Sequence, residues 1–171
     1  MKVKIAGVLC GLLIIRQLWM IWLPSQYISP SWINLLGITV ICLIGIDYAF
    51  EKWDLKSSNW VGFGLAYLLI NLLFMRIMGI LELDVPMGIL DKVYYLIFYP
   101  TVLIGIIKAV KMNERLFFIL ATIFQIAGDL LYVLNMTKLT NWIDYTSMIL
   151  YLSAIFLYVL GLYFAREKVI S

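Results

Sequence analysis

The stretch Leu116–Leu134 reads LFFILATIFQIAGDLLYVL, nineteen residues in which only Gln125 and Asp129 are strongly polar. A hydrocarbon core roughly 30 Å thick needs about 20 apolar residues to span it as a helix. The stretch therefore predicts a transmembrane helix that carries an amide and a carboxyl group into the bilayer. Working outward, polar or proline-bearing breaks isolate five more such stretches: Ile5–Leu23, Trp32–Phe50, Trp60–Ile80, Gly88–Val110 and Trp142–Ala165. The turns between them are Pro24 to Ser31, Glu51 to Asn59, Glu82 to Pro86, Lys111 to Arg115 and Asn135 to Asn141. Trp22, Trp32, Trp53, Trp60 and Trp142 fall at or near the span ends, where interfacial aromatic belts form. The expected fold is an all-α polytopic bundle of six transmembrane helices in one integral membrane domain, residues 1–171.

Composition agrees. The 171 residues are 64% hydrophobic and 13% charged, against roughly 45–50% apolar and about 25% charged in soluble chains. No basic run is dense enough to suggest nucleic acid. Cys10 and Cys42 lie inside apolar stretches, where a thiol behaves as a small hydrophobe. The chain has no histidine, which removes the commonest metal ligand and the commonest general acid–base group. Lys2 and Lys4 followed by apolar residues resemble a secretory signal, but no small-x-small cleavage site follows, and Trp19 and Trp22 break the pattern. Leu9 is too large to precede a lipidated cysteine, so the segment reads as a retained first span.

Short-loop charges orient the chain. Lys2, Lys4, Lys52, Lys56, Lys108, Lys111, Arg115, Arg166 and Lys168 fall on one side, against Lys92 and Lys138 on the other. The positive-inside rule then places both termini in the cytoplasm and the chain in the cytoplasmic membrane. Gly45, Asp47, Phe50, Asn59 and Trp60 are spaced like Ala127, Asp129, Tyr132, Asn141 and Trp142. Either this is a three-plus-three inverted repeat, or Asn-Trp serves twice as an interfacial opener.

Charge within the bilayer costs about 2.5–3.5 kcal/mol per residue on insertion scales, so Arg16, Asp47, Arg76 and Asp129 each need a reason. Asp47 is within one turn of its span end and can snorkel. Asp129 lies roughly 20 Å along its span, in the outer half with Arg76 and Arg16. An ion pair is expected there, with Arg76 the preferred partner by depth. Gln125, Asp129 and Tyr132 share a face at i, i+4, i+7, Asn71 lies below Arg76, Gln17 adjoins Arg16, and Asp91 and Asp144 ring the outer ends. Three readings stand for this cluster: a structural ion pair, a ligand or signal site, and a transport pathway. Tyrosines form a second feature, with Asp91, Tyr95, Phe98 and Tyr99 on the fourth span and Ser147, Tyr151, Ala154 and Tyr158 on the sixth. They read as helix-packing hydroxyls or as an aromatic-lined pocket for a lipid-like or planar ligand. Pro100 should kink the fourth span and free carbonyls toward that pocket.

Mid-span lysine, a Ser/His/Asp set, a glycine-rich phosphate loop and a metal-ligand cluster are all missing from the sequence. No cofactor, metal site or catalytic set is expected, and an intramembrane hydrolase would depend on Asp129 with Asp47.

The run Val85-Pro86-Met87-Gly88-Ile89-Leu90-Asp91-Lys92-Val93-Tyr94-Tyr95-Leu96-Ile97-Phe98-Tyr99-Pro100, then Leu103-Ile104-Gly105, resembles a known pattern. It is similar to the multi-span sensory regions that precede diguanylate cyclase (GGDEF), phosphodiesterase (EAL) and some histidine kinase domains in bacteria. Gly128-Asp129-Leu130-Leu131-Tyr132, with Trp142, Asp144 and Tyr151, resembles a Gly-Asp-x-x-Tyr element of the same regions. The resemblance covers about Val85 to Arg166, and Met87 and Gly88 replace a serine-containing turn. It implies a signal-input module without its own output domain, and carries over no binding residue. Gly128-Asp129 also bears a weaker similarity to lysoplasmalogenase-like membrane hydrolases, which are longer. The expectation is a small sensory or regulatory membrane protein that binds a membrane protein partner or an apolar or aromatic small ligand. The alternatives are a small secondary transporter or carrier subunit and an intramembrane lipid hydrolase.

Overall fold

The computed structural model describes residues 1–22, 32–51, 56–81, 87–138 and 141–166, with side chains at 22, 87–91, 135–138 and 141 outside the description. The first and third turns, residues 52–55 of the second, residues 139–140 of the fifth, and the side chains of Trp22, Asp91 and Asn141 therefore lie outside the described residues, while the rest of the expected fifth turn is helix, α5 and α6 leaving only 139–140 between them. Six helices follow in order: α1 Lys2–Trp22, α2 Trp32–Phe50, α3 Ser57–Ile80, α4 Met87–Lys108, α5 Met112–Lys138 and α6 Asn141–Arg166. All but α4 are long and apolar enough, over their described residues, to cross a membrane. The fourth runs 22 residues, long enough at about 1.5 Å per residue to match them.

These helices are apolar nearly all round, as a membrane span is. Leu12, Ile15, Trp19, Leu36, Leu43, Leu96, Ile107 and Leu130 point outward. Ile41, Leu65, Phe98, Phe118, Leu152, Tyr158 and Leu162 fill the interior. Without a hydrophobic force between helices in lipid, close packing holds the bundle, and small residues permit it. Gly62 lies against Ala49, and Gly161 against the Phe118 ring, at separations no Cβ would fit. The hub is α6, which packs on α5, α1, α2 and α3. The two halves are not equivalent in their contacts: α2 packs closely on α6, while among the described residues α3 and α5 do not pack backbone to backbone and meet through a Ser57–Glu114 hydrogen bond.

Three helices start three or more residues earlier than hydropathy predicts, because polar residues form their first turns. The first begins at Lys2 rather than Ile5, α3 at Ser57 rather than Trp60, and α5 at Met112 rather than Leu116. Asn59 shows why. Its Oδ1 accepts the Lys56 backbone N–H at 3.2 Å, and its Nδ2 donates to the Ala49 carbonyl at 2.7 Å. The fully buried amide thus closes the start of α3 onto the end of α2.

The start of α1 and the end of α6 both meet the C-terminal end of α2. Lys2 Nζ is 2.7 Å from Asp47 Oδ2, with both side chains about half exposed, and Arg166 pairs with Glu51. Asp47 is therefore a surface ion-pair partner at the bundle's end. Lys111 Nζ donates to the carbonyls of Phe164 and Ala165, at 3.0 Å each, placing a cation at the negative C-terminus of α6. The helix α4 passes through Pro100 without interruption. The Thr101 hydroxyl reaches back to the carbonyls of Phe98 (2.7 Å) and Ile97 (3.1 Å), so it engages backbone that the proline loosens.

Candidate functional site: a carboxylate held by two tyrosines

One face of α5 is buried along its length. Glu114, Phe118, Ala121, Gln125 and Asp129 recur at helical spacing, and all five are buried. At the middle and far end of this face the neighbours come from α4 and α6. The Tyr99 hydroxyl of α4 donates to Asp129 Oδ2, and the Tyr151 hydroxyl of α6 donates to Asp129 Oδ1. Each carboxylate oxygen thus receives one phenol. Gly128 is what lets Tyr151 come so near: a Cβ there would sit 3.3 Å from the ring carbon Cε1 and 3.4 Å from the Ser147 carbonyl oxygen.

Gln125, one turn before Asp129, has 0% exposure. Its Nε2 donates to the Tyr94 hydroxyl across 3.4 Å, while its Oε1 has no hydrogen-bond partner among the described residues. Tyr94 stacks on Phe98 at 5.2 Å and on Tyr67 at 6.2 Å. Tyr95 lies 5.3 Å from Tyr94 and 5.9 Å from Tyr99 between ring centroids. On the other side, Tyr158 packs edge-on to Phe98 and shares a 3.1 Å hydrogen bond with Thr122. The result is an aromatic envelope with a polar floor.

The arginines lie elsewhere, which corrects the expected Asp129–Arg76 or Asp129–Arg16 pair. Arg16 Nη1 donates to Asn34 Oδ1 at 2.6 Å, and Gln17 Nε2 donates to the same oxygen at 2.9 Å. The Arg76 guanidinium sits 4.2 Å above the centre of the Trp32 ring, a cation–π contact. Both groups gather at the first turn of α2. Among the described residues α1 has no packing contact with α5, and α3 meets α5 through Ser57 and Glu114, at the opposite end of α5 from Asp129, so matching depth did not mean proximity. Asn71 is half-buried on α3, and Tyr132 is 39% exposed at the C-terminal end of its stripe on α5. Of the predicted cluster, the structure brings together Gln125, Asp129, Tyr95, Tyr99 and Tyr151, and separates Arg16 and Arg76 from them.

Reading the sequence missed Tyr94 and Asn34 as partners, and it missed Glu114. The Ser57 hydroxyl donates to Glu114 Oε1, and both residues are buried. Asn34 carried a signal, being a polar residue just inside a span. Glu114 did not, flanked as it is by Lys111, Asn113 and Arg115.

Among the described residues no group of three or more His, Cys, Asp or Glu side chains could hold a metal ion. The floor offers one carboxylate, one amide and phenols. It can accept and donate hydrogen bonds and fix a polar head in an apolar setting. No known family model, curated protein or solved structure matches the chain.

Proposed function

We propose that this chain is a small sensory or regulatory protein of a bacterial cytoplasmic membrane, with both termini cytoplasmic. In this reading, a ligand or a membrane protein partner acts on the Asp129 cluster, as in the sensory regions that the Val85–Pro100 and Gly128–Tyr132 motifs resemble. One observation carries it. Helices joined by only residues 109–111 would ordinarily pack along their length, yet α4 lies on α3, α5 lies on α6, and α4 and α5 touch over a short stretch. Between them the Tyr99–Asp129 hydrogen bond is a tether. Anything that competes for the carboxylate frees α4 from the α5–α6 pair. The 109–111 connection, whose Ala109 carbonyl is held by Arg115 Nη2 at 2.8 Å, carries the change to the bundle end. The transporter alternative drew on a deep Asp–Arg pair and on the three-plus-three inverted repeat; the partners of Arg16 and Arg76 remove the first of these motives.

Spin labels at Leu96 on α4 and Leu130 on α5, both well exposed, test the tether by pulsed dipolar spectroscopy. Tyr99→Phe should broaden or shift the α4–α5 distance. A second pair, Leu130 with Trp142 on α6, should not change. An α4–α5 distribution identical in wild type and Tyr99→Phe would refute the reading.

A further inference from the structure

The end of the bundle away from Lys2 and Arg166 carries two arginines, and they are held differently. Arg16 donates to the Asn34 amide oxygen. Arg76, half-buried on α3, lays its guanidinium on the Trp32 ring instead. That contact occupies the flat face of the group and leaves its N–H donors around the edge. Among the described residues those donors meet no acceptor, and the described ion pairs, Lys2–Asp47 and Arg166–Glu51, lie at the opposite end. A cation–π contact orients a guanidinium without neutralising it. Arg76 is four residues before the end of α3 at Ile80, and Trp32 opens α2. At about 1.5 Å per residue the guanidinium stem starts roughly 6 Å inside the end of α3, so a side chain that snorkels reaches the headgroup layer. The acceptors at that level are lipid phosphates, whose oxygens match the guanidinium fork bidentately. One turn deeper, Leu36 on α2 and Leu73 on α3 are exposed and apolar, a surface on which an acyl chain can lie.

We infer that Arg76 and Trp32 form a seat for the headgroup of an anionic phospholipid. The phosphate takes the guanidinium edge, the indole holds the guanidinium plane, and an acyl chain runs down the α2–α3 face. Charge decides the class of lipid. A headgroup with its own cation sets that cation against Arg76 for the phosphate, whereas an anionic headgroup leaves the phosphate to the arginine. This site is separate from the Asp129 cluster and does not depend on the sensory reading.

The chain has four arginines, so the side-chain Nε–H resonances of the purified full chain in maltoside micelles report on each separately, with Arg76 assigned from Arg76→Lys. Dioleoylphosphatidylglycerol, dioleoylphosphatidylcholine and water-soluble glycerol phosphate are titrated in turn. The Arg76 resonance should move saturably with phosphatidylglycerol, at a half-saturation about fivefold below that for phosphatidylcholine, the scale of one cation acting at an anionic lipid surface. Glycerol phosphate should move it only at far higher concentration. Trp32→Leu removes the ring and should weaken the phosphatidylglycerol response by about two- to fivefold, the scale of an exposed cation–π contact. Wild type alone carries the comparison of the three titrants, so the test stands even if the variant does not fold. An Arg76 resonance that ignores phosphatidylglycerol, or that answers both lipids at equal concentration, would overturn the proposal. So would glycerol phosphate matching the lipid, which would mean a site for free phosphate, or all four arginines moving in step, which would mean a charged micelle surface. An unchanged half-saturation in Trp32→Leu would overturn the two-residue seat.

Discussion

Tyr99 and Tyr151 donate their hydroxyls to opposite oxygens of one carboxylate, that of Asp129, from helices on different sides of α5. A carboxylate in an apolar medium needs such donors to remain there. Hydrogen bonds to a charged group contribute about 1.5–3 kcal/mol each, so this joint is among the strongest single features of the bundle.

Asp129→Asn replaces an acceptor oxygen with an NH2 donor that faces a phenol oxygen. Thermal stability in detergent should drop by about 1.5–3 kcal/mol. Exchanging charges by combining Asp129→Arg with Arg76→Asp should rescue nothing, since Arg76 rests on Trp32. Recovery of stability in the exchanged protein would restore the ion-pair account.

Gly128→Ala should have a sign that depends on Tyr151. In wild type the new Cβ lies 3.3 Å from the Tyr151 ring and pushes the hydroxyl off Asp129, outweighing the gain of about 0.8–1.0 kcal/mol that alanine brings to a helix. In a Tyr151→Phe background nothing remains to be displaced from Asp129, and the same change should be neutral or stabilising. Equal losses in both backgrounds would show that the glycine serves packing alone.

Ser57→Ala strips Glu114 of its hydroxyl donor at the opposite end of α5. An unmet buried acceptor costs about 1–3 kcal/mol. Ser57→Thr keeps the hydroxyl and should be the milder variant. Chemical denaturation of the two proteins, run side by side, distinguishes this from a general intolerance of the site, which would make threonine at least as harmful as alanine.

Much of this was legible in the sequence. The helices were, because twenty apolar residues in a row admit few other fates. Asp129, Tyr99 and Tyr151 were too, as polar groups at bilayer depth. Their partnership was not. Depth can be counted along a helix at about 1.5 Å per residue, but which helices are neighbours depends on packing that no single span records. Opposite charge made Arg76 look like the partner of Asp129, yet α3 turns toward α2 and α4, and the hydroxyls of α4 and α6 supply the donors instead. Glu114 was read as loop because the charged residues around it mask a helix that starts at Met112.

The proposed orientation can be checked by cysteine labelling. Val110, between α4 and α5, and Leu81, just past α3, are both exposed, whereas Cys10 and Cys42 are buried and should stay silent. An impermeant maleimide applied to intact cells should label Leu81→Cys, and should reach Val110→Cys only after permeabilisation. The reverse pattern would invert the topology.

The central claim is that Tyr99 and Asp129 act as one unit tying α4 to α5. A double-mutant cycle measures it directly, using the stabilities of wild type, Tyr99→Phe, Asp129→Asn and the double variant. Residues in direct contact couple by about 0.5–3 kcal/mol, so the account predicts that the double variant is more stable than the two single losses summed, by at least about 1 kcal/mol within that range. Losses that simply add, to within about 0.3–0.5 kcal/mol, would mean that the two side chains do not work together, and would contradict it.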